Sequence, residues 1–189
     1  MIAGHFGFAA MVKSRERSAP LWALMLATVW LDVVFTPLFL VHRETVQPIH
    51  VGYGGLIIHA DYTHSIVGML VVSAALGAMF LPRLGRRVAL VIALVSASHW
   101  VLDLVVHRAD MPVLPGNFGS LPYLGLGLWN HPRAAVCAEL VLVAVGAIMY
   151  WRAAMEVSAR VGRNGRLATL SAAMIAVFGL FVLFLDYTG

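Results

Sequence analysis

The chain predicts an all-α fold. It reads as a polytopic membrane helix bundle of about five transmembrane helices, with a short N-terminal re-entrant or interfacial helix, forming a single integral-membrane domain over residues 1–189. Three observations carry that expectation. The 189 residues are 61% apolar and only 12% charged, where a soluble domain averages about 45–50% and about 25%. Mean hydropathy is +0.87. The apolar residues fall into five runs, each close to the roughly 17–25 residues a spanning helix needs.

The first element is Met1–Val12, apolar but only about 18 Å long as a helix, too short to cross. It either lies at the interface or dips into the bilayer against the bundle. The basic stretch Lys13, Arg15, Arg17 follows it. A secretory signal places its positive charges before a shorter apolar core with a small-residue cleavage site, so the segment is expected to be retained. The five spanning runs are Pro20–Val41, Tyr62–Leu81, Val88–Val106, Ala134–Trp151 and Leu167–Leu185. Alternate connections are basic, with Arg83, Arg86 and Arg87 after the second run and Arg152, Arg160, Arg163 and Arg166 after the fourth. By the positive-inside rule these lie in the cytoplasm. The expected location is a bacterial inner membrane, with the N-terminal basic stretch cytoplasmic and the C-terminus periplasmic. Connections 42–61 and 107–133 then face outward, and their length and Gly/Pro content fit lids or binding loops. Cys137, the only cysteine, excludes an intrachain disulfide and reads as a small buried hydrophobe.

Against this background the polar residues inside the spans stand out. His99 and Asp103 are one helical turn apart on one face of the third span. Asp32 interrupts the first span, and His64 opens the second. His5 lies in the N-terminal segment and reaches the same depth only if that segment dips. An intramembrane carboxylate costs roughly 2.5–3.5 kcal/mol on insertion scales and marks a functional site by default. Neutral imidazole and carboxylate are ligands for zinc, and for manganese or iron in carboxylate-rich sites. A divalent cation also offsets buried carboxylates that have no Lys or Arg at their depth. The expected metal ligands are therefore His5, Asp32, His64, His99 and Asp103, with zinc the first choice of metal. Glu139, His107, Asp61 and His131 are the candidates for a supporting or base role.

Gly4-His5-Phe6, the Asp of the first span, Tyr62-Thr63-His64-Ser65 and Ser98-His99-Trp100-Val101-Leu102-Asp103 together resemble a known group. These are small bacterial inner-membrane proteins regarded as membrane-bound metal-dependent hydrolases, among them the LexA-regulated hydrolases. The resemblance covers roughly residues 1–110 in motif order and implies the same five ligands. Two departures stand out. The group's Asp stretch often reads Pro-Asp-x-Asp-His, whereas only Asp32 stands here, and the Arg that often precedes Thr-His-Ser is absent.

The expected function is metal-dependent hydrolysis of a lipid-linked ester or phosphoester, or another small molecule, at the outer face. Membrane lipid is then the main partner, a protein partner is allowed, and no nucleic-acid partner is implied. The alternatives are transport of a metal ion or protons, and a non-catalytic subunit of a membrane complex. Transport needs a conduit, and the inner halves of the spans hold almost no polar side chains.

Overall fold

The computed structural model describes residues 1–188. Its elements are α1 (Ile2–Arg15), α2 (Leu21–Ala27), α3 (Trp30–Leu40), β1 (Thr45–Pro48), β2 (Leu56–His59), α4 (Ile66–Val106), α5 (Pro132–Arg160) and α6 (Arg166–Thr188). Among the described residues, α4, α5 and α6 are each long and apolar enough to cross a membrane, and α2 with α3 make a fourth candidate as a bent pair. The chain is a mostly helical membrane protein. The connection after α3 is not purely irregular, because β1 and β2 pair antiparallel from Thr45↔His59 to Pro48↔Leu56.

Helix α4 contains the second and third apolar runs and doubles back within its length. Gly85 has φ +75° and ψ 167°, a left-handed conformation that costs a residue with a Cβ but not glycine. Pro82 stands three residues before it, among Arg83, Arg86 and Arg87. The two limbs lie side by side: Ser73 Oγ donates to Ser96 Oγ at 3.0 Å, and the Gly77 backbone faces Ala89 and Ala93. This return brings His64 back beside His99.

The first run is broken as well. Helices α2 and α3 meet at 47° across Thr28-Val29. A straight helix would bond the Thr28 carbonyl to the amide four residues on. Here that carbonyl takes His99 instead, and the break follows from that substitution of partners. Asp32 thus falls in the first turn of α3, where free amides and the helix dipole favour a carboxylate.

Helix α1 is no surface helix. Ala3, Gly4, His5, Gly7, Ala9 and Ala10 are all buried, and the helix packs on α5, α6, α2 and α4. Small residues allow this close approach between helices. A Cβ on Gly7 would sit 2.4 Å from the Leu142 carbonyl oxygen, and one on Gly146 would sit 2.1 Å from that of Gly7. At its far end α1 is tied to the basic connections. Lys13 Nζ donates to the Arg17 and Ala19 carbonyls at 2.8 Å each, and Arg87 pairs with Glu16 at 2.9 Å. Cys137 is exposed on α5 rather than buried.

Candidate metal centre

All five residues singled out as ligands come together at the end of the bundle opposite the arginine-rich turns. His5 comes from α1, Asp32 from α3, His64 from the turn before α4, and His99 and Asp103 from its second limb. Two overlapping triads of ligand atoms result, His5/His99/Asp103 and Asp32/His64/His99. The second is nearly an equilateral triangle. His64 Nε2 lies 3.2 Å from His99 Nε2 and 3.6 Å from Asp32 Oδ1, and His99 Nε2 lies 3.5 Å from Asp32 Oδ1. Tetrahedral zinc with ligands at about 2.0–2.1 Å would space them about 3.3–3.4 Å apart. Asp103 Oδ2 adds a fourth atom, 2.9 Å from His99 Nε2 and 3.7 Å from His64 Nε2.

The outward-facing nitrogens decide what the inward-facing ones can do. His99 Nδ1–H donates to the Thr28 carbonyl at 2.8 Å. His64 Nδ1–H donates to Thr63 Oγ1 at 2.9 Å, whose own hydroxyl donates to the Glu44 carboxylate. Each neutral ring therefore turns a bare Nε2 lone pair toward the other and toward two carboxylates. Four acceptors facing one another at these distances require a shared cation, either a proton or a metal ion. Among the described residues the cluster's own hydrogen bonds and ion pairs include no Lys or Arg, and the other cation at hand, the Met1 ammonium, lies 4.0 Å from Asp103 Oδ1, the oxygen that His5 also holds. The donor set fits zinc or another borderline divalent ion.

His5 is held differently. Its Nε2–H donates to Asp103 Oδ1 at 3.0 Å, its ring stacks on His99 with centroids 4.1 Å apart, and its Nδ1 has no partner among the described residues. It thus anchors Asp103 from the side away from the triangle. Asp32 is the open member, with 41% of its side chain exposed toward a cavity of about 610 Å³ that His64, Asp103 and His107 also line.

The supporting residues were only partly foreseen. His107, which caps α4, is buried and belongs to the cluster: its Nε2 lies 3.8 Å from Asp103 Oδ2. Its Nδ1–H donates to Asp110 Oδ1 at 2.9 Å, the Ile58 amide donates to Asp110 Oδ2 at 3.1 Å, and Trp129 lies against the ring, tilted by 36° with centroids 4.4 Å apart. Glu139 is buried but caps α1 instead, accepting the Gly4 amide at 2.8 Å and the Tyr53 hydroxyl. Burial beside that carboxylate pushes the Tyr53 hydroxyl pKa up. His131 is exposed at the start of α5, and Asp61 lies outside both triads and the cavity wall.

Glu44 carried no signal in the sequence, being one acid in a polar connection. The fold buries it under the turn that presents His64, where it accepts the Tyr62 and Thr63 amides at 2.8 Å each. Burial raises its pKa despite those bonds. Thr63 is the link between this anchor and the imidazole. Thr63→Val keeps the shape and removes the hydroxyl, and is expected to weaken zinc affinity about 10–100-fold, measured by competition with a chromogenic chelator.

The comparisons with known proteins leave the site to be read on its own terms. No family model matches the chain, no curated protein matches it, and no solved structure matches it.

Proposed function

We propose that this protein is a membrane-embedded, metal-dependent hydrolase whose site opens to the periplasmic face of a bacterial inner membrane. The observation that carries this reading is the triangle of Asp32, His64 and His99, with imidazole lone pairs fixed toward carboxylates and one side open to a cavity. Asp32, His64, His99 and Asp103 would hold the ion, with His5 fixing Asp103 through its other oxygen. A bound zinc ion would supply a water of lowered pKa and polarise the scissile bond. His107 Nε2, facing the cavity with its ring set by Asp110, is placed to take or return a proton. Phe35 and residues of the 48–58 connection line the same cavity.

The topology belongs to the same reading. The bent α2–α3 pair, the two limbs of α4 folded at Gly85, α5 and α6 supply five crossings, and the basic turns fall together on the cytoplasmic side. Transport is disfavoured by what lies between the cluster and those turns, where Leu24, Leu76, Ile92 and Val95 belong to a buried apolar core and Ser73 and Ser96 satisfy each other.

The test is turnover of chromogenic esters and phosphoesters by detergent-purified protein, before and after chelation. Activity that disappears with the metal and returns with about one equivalent of zinc supports hydrolysis. Stoichiometric metal with no metal-dependent turnover of either substrate class overturns it.

A further inference from the structure

We infer that a groove at the arginine-rich end of the bundle, away from the metal centre, binds the headgroup and upper acyl chain of an anionic phospholipid. The groove encloses about 420 Å³ between the last turns of α1, the second limb of α4 and α5. Its apolar wall is Met11, Val12, Val91 and Met149. Val91 stands in the first turn of the apolar run Val88–Val106, and Met149 in the last turn of Ala134–Trp151. In a spanning bundle that wall lies where hydrocarbon gives way to headgroups. The polar wall is Arg15, Arg87 and Glu16.

The basic residues around the groove are not equally free. Lys13 is spent on the Arg17 and Ala19 carbonyls, and Arg17 pairs with Glu156 at 2.8 Å. Arg15, exposed on the last turn of α1, has no hydrogen-bond or ion-pair partner among the described residues. Arg87 has 82% of its side chain exposed yet is held in place, its Nε and Nη2 each 2.9 Å from Glu16 Oε2. Glu16 is itself buried, and its Oε1 accepts from the Ser18 amide and hydroxyl. The carboxylate thus fixes Arg87 at the groove and leaves its Nη1 donors for another acceptor. Two guanidiniums against one carboxylate leave the groove one positive charge, and guanidinium donors suit phosphate oxygens. A free phosphate would meet the arginines and leave the four apolar side chains uncovered, whereas a phospholipid covers both walls. A zwitterionic headgroup would bring its own cation toward Arg15 and Arg87, so the charge favours an anionic one.

The test titrates delipidated, detergent-purified protein with phosphatidylglycerol or phosphatidylcholine of the same acyl chains, and counts bound lipids by native mass spectrometry. The expected result is a first phosphatidylglycerol bound roughly fivefold or more tightly than phosphatidylcholine. Arg15→Gln, at an exposed position, is expected to bring that lipid down to the phosphatidylcholine level. Arg163→Gln, exposed in the connection after α5, removes the same charge outside the groove and is expected to change nothing. Equal binding of the two lipids by the wild type overturns the inference, leaving a groove that takes any acyl chain. It is also overturned if Arg15→Gln keeps the preference, or if Arg163→Gln weakens it as much, since the whole basic end would then attract the lipid. Zinc content is expected to be the same in all three proteins, because the groove and the metal centre lie at opposite ends.

Discussion

Asp103→Asn is expected to abolish zinc binding while the protein stays folded. Asp103 is the one residue that touches the other groups on both sides, with His5 on Oδ1 and His99, His64 and His107 around Oδ2. Asparagine keeps the shape but places a neutral amide where the geometry demands an anion. Removing one partner of a buried, compensated charge set costs about 3–5 kcal/mol, a loss of roughly a hundred- to several-thousandfold in affinity. The measurement is a thermal melt with and without zinc. A ligand that binds only the folded state raises the midpoint, so zinc stabilises the wild type and leaves Asp103→Asn unmoved. In chelator the variant is also expected to melt lower, because Asp103 loses its buried pairs with His5, His99 and the Met1 ammonium, so the zinc-dependent shift of each protein is the readout. An unchanged zinc response in the variant would remove Asp103 from the site.

The second large effect is structural. Gly7→Val places a branched side chain where even one Cβ would lie 2.4 Å from the Leu142 carbonyl oxygen and 2.7 Å from the Val143 nitrogen. Backbone cannot yield as a side chain tip can, so α1 has to move away from α5. Overpacking of this kind costs about 3 kcal/mol, and His5 and the Gly4–Glu139 cap leave with the helix. A lower melting midpoint and a reduced zinc content are expected together. Leu170→Ala on the exposed face of α6 is the control and should change neither. Wild-type stability in Gly7→Val would mean that α1 does not sit inside the bundle.

These two residues also mark how far the sequence could be read. Asp103 was legible because a carboxylate in an apolar run is costly wherever it falls, and His99 one turn away gave it a partner on the same face. His5 was legible only conditionally, since hydropathy cannot say whether a short apolar helix lies on a membrane or inside a bundle. Gly7 and Gly146 answer that question, yet a glycine in an apolar run looks the same whether it faces lipid or a backbone. The Thr28 carbonyl had no signal at all, because any residue carries one and only the break between α2 and α3 frees it for His99. His107 was legible as a candidate for a supporting role, but Asp110, which lies with it in the loop past the end of the apolar run, was not. The fold brings that loop back over the cluster and buries both. The hairpin of β1 and β2 escaped notice for a related reason: Thr45–Pro48 and Leu56–His59 are too short to show an alternating pattern.

The most direct measurement is X-ray absorption at the zinc edge on purified, zinc-loaded protein, beside His99→Ala. The expected spectrum is a shell of nitrogen and oxygen donors at about 2.0–2.1 Å with the outer scattering of imidazole from at least two rings, reduced in the variant. Zinc seen only with water-like oxygen donors, or a spectrum that His99→Ala leaves unchanged, would contradict it. The acceptors of His64, His99, Asp32 and Asp103 would then be held together by protons.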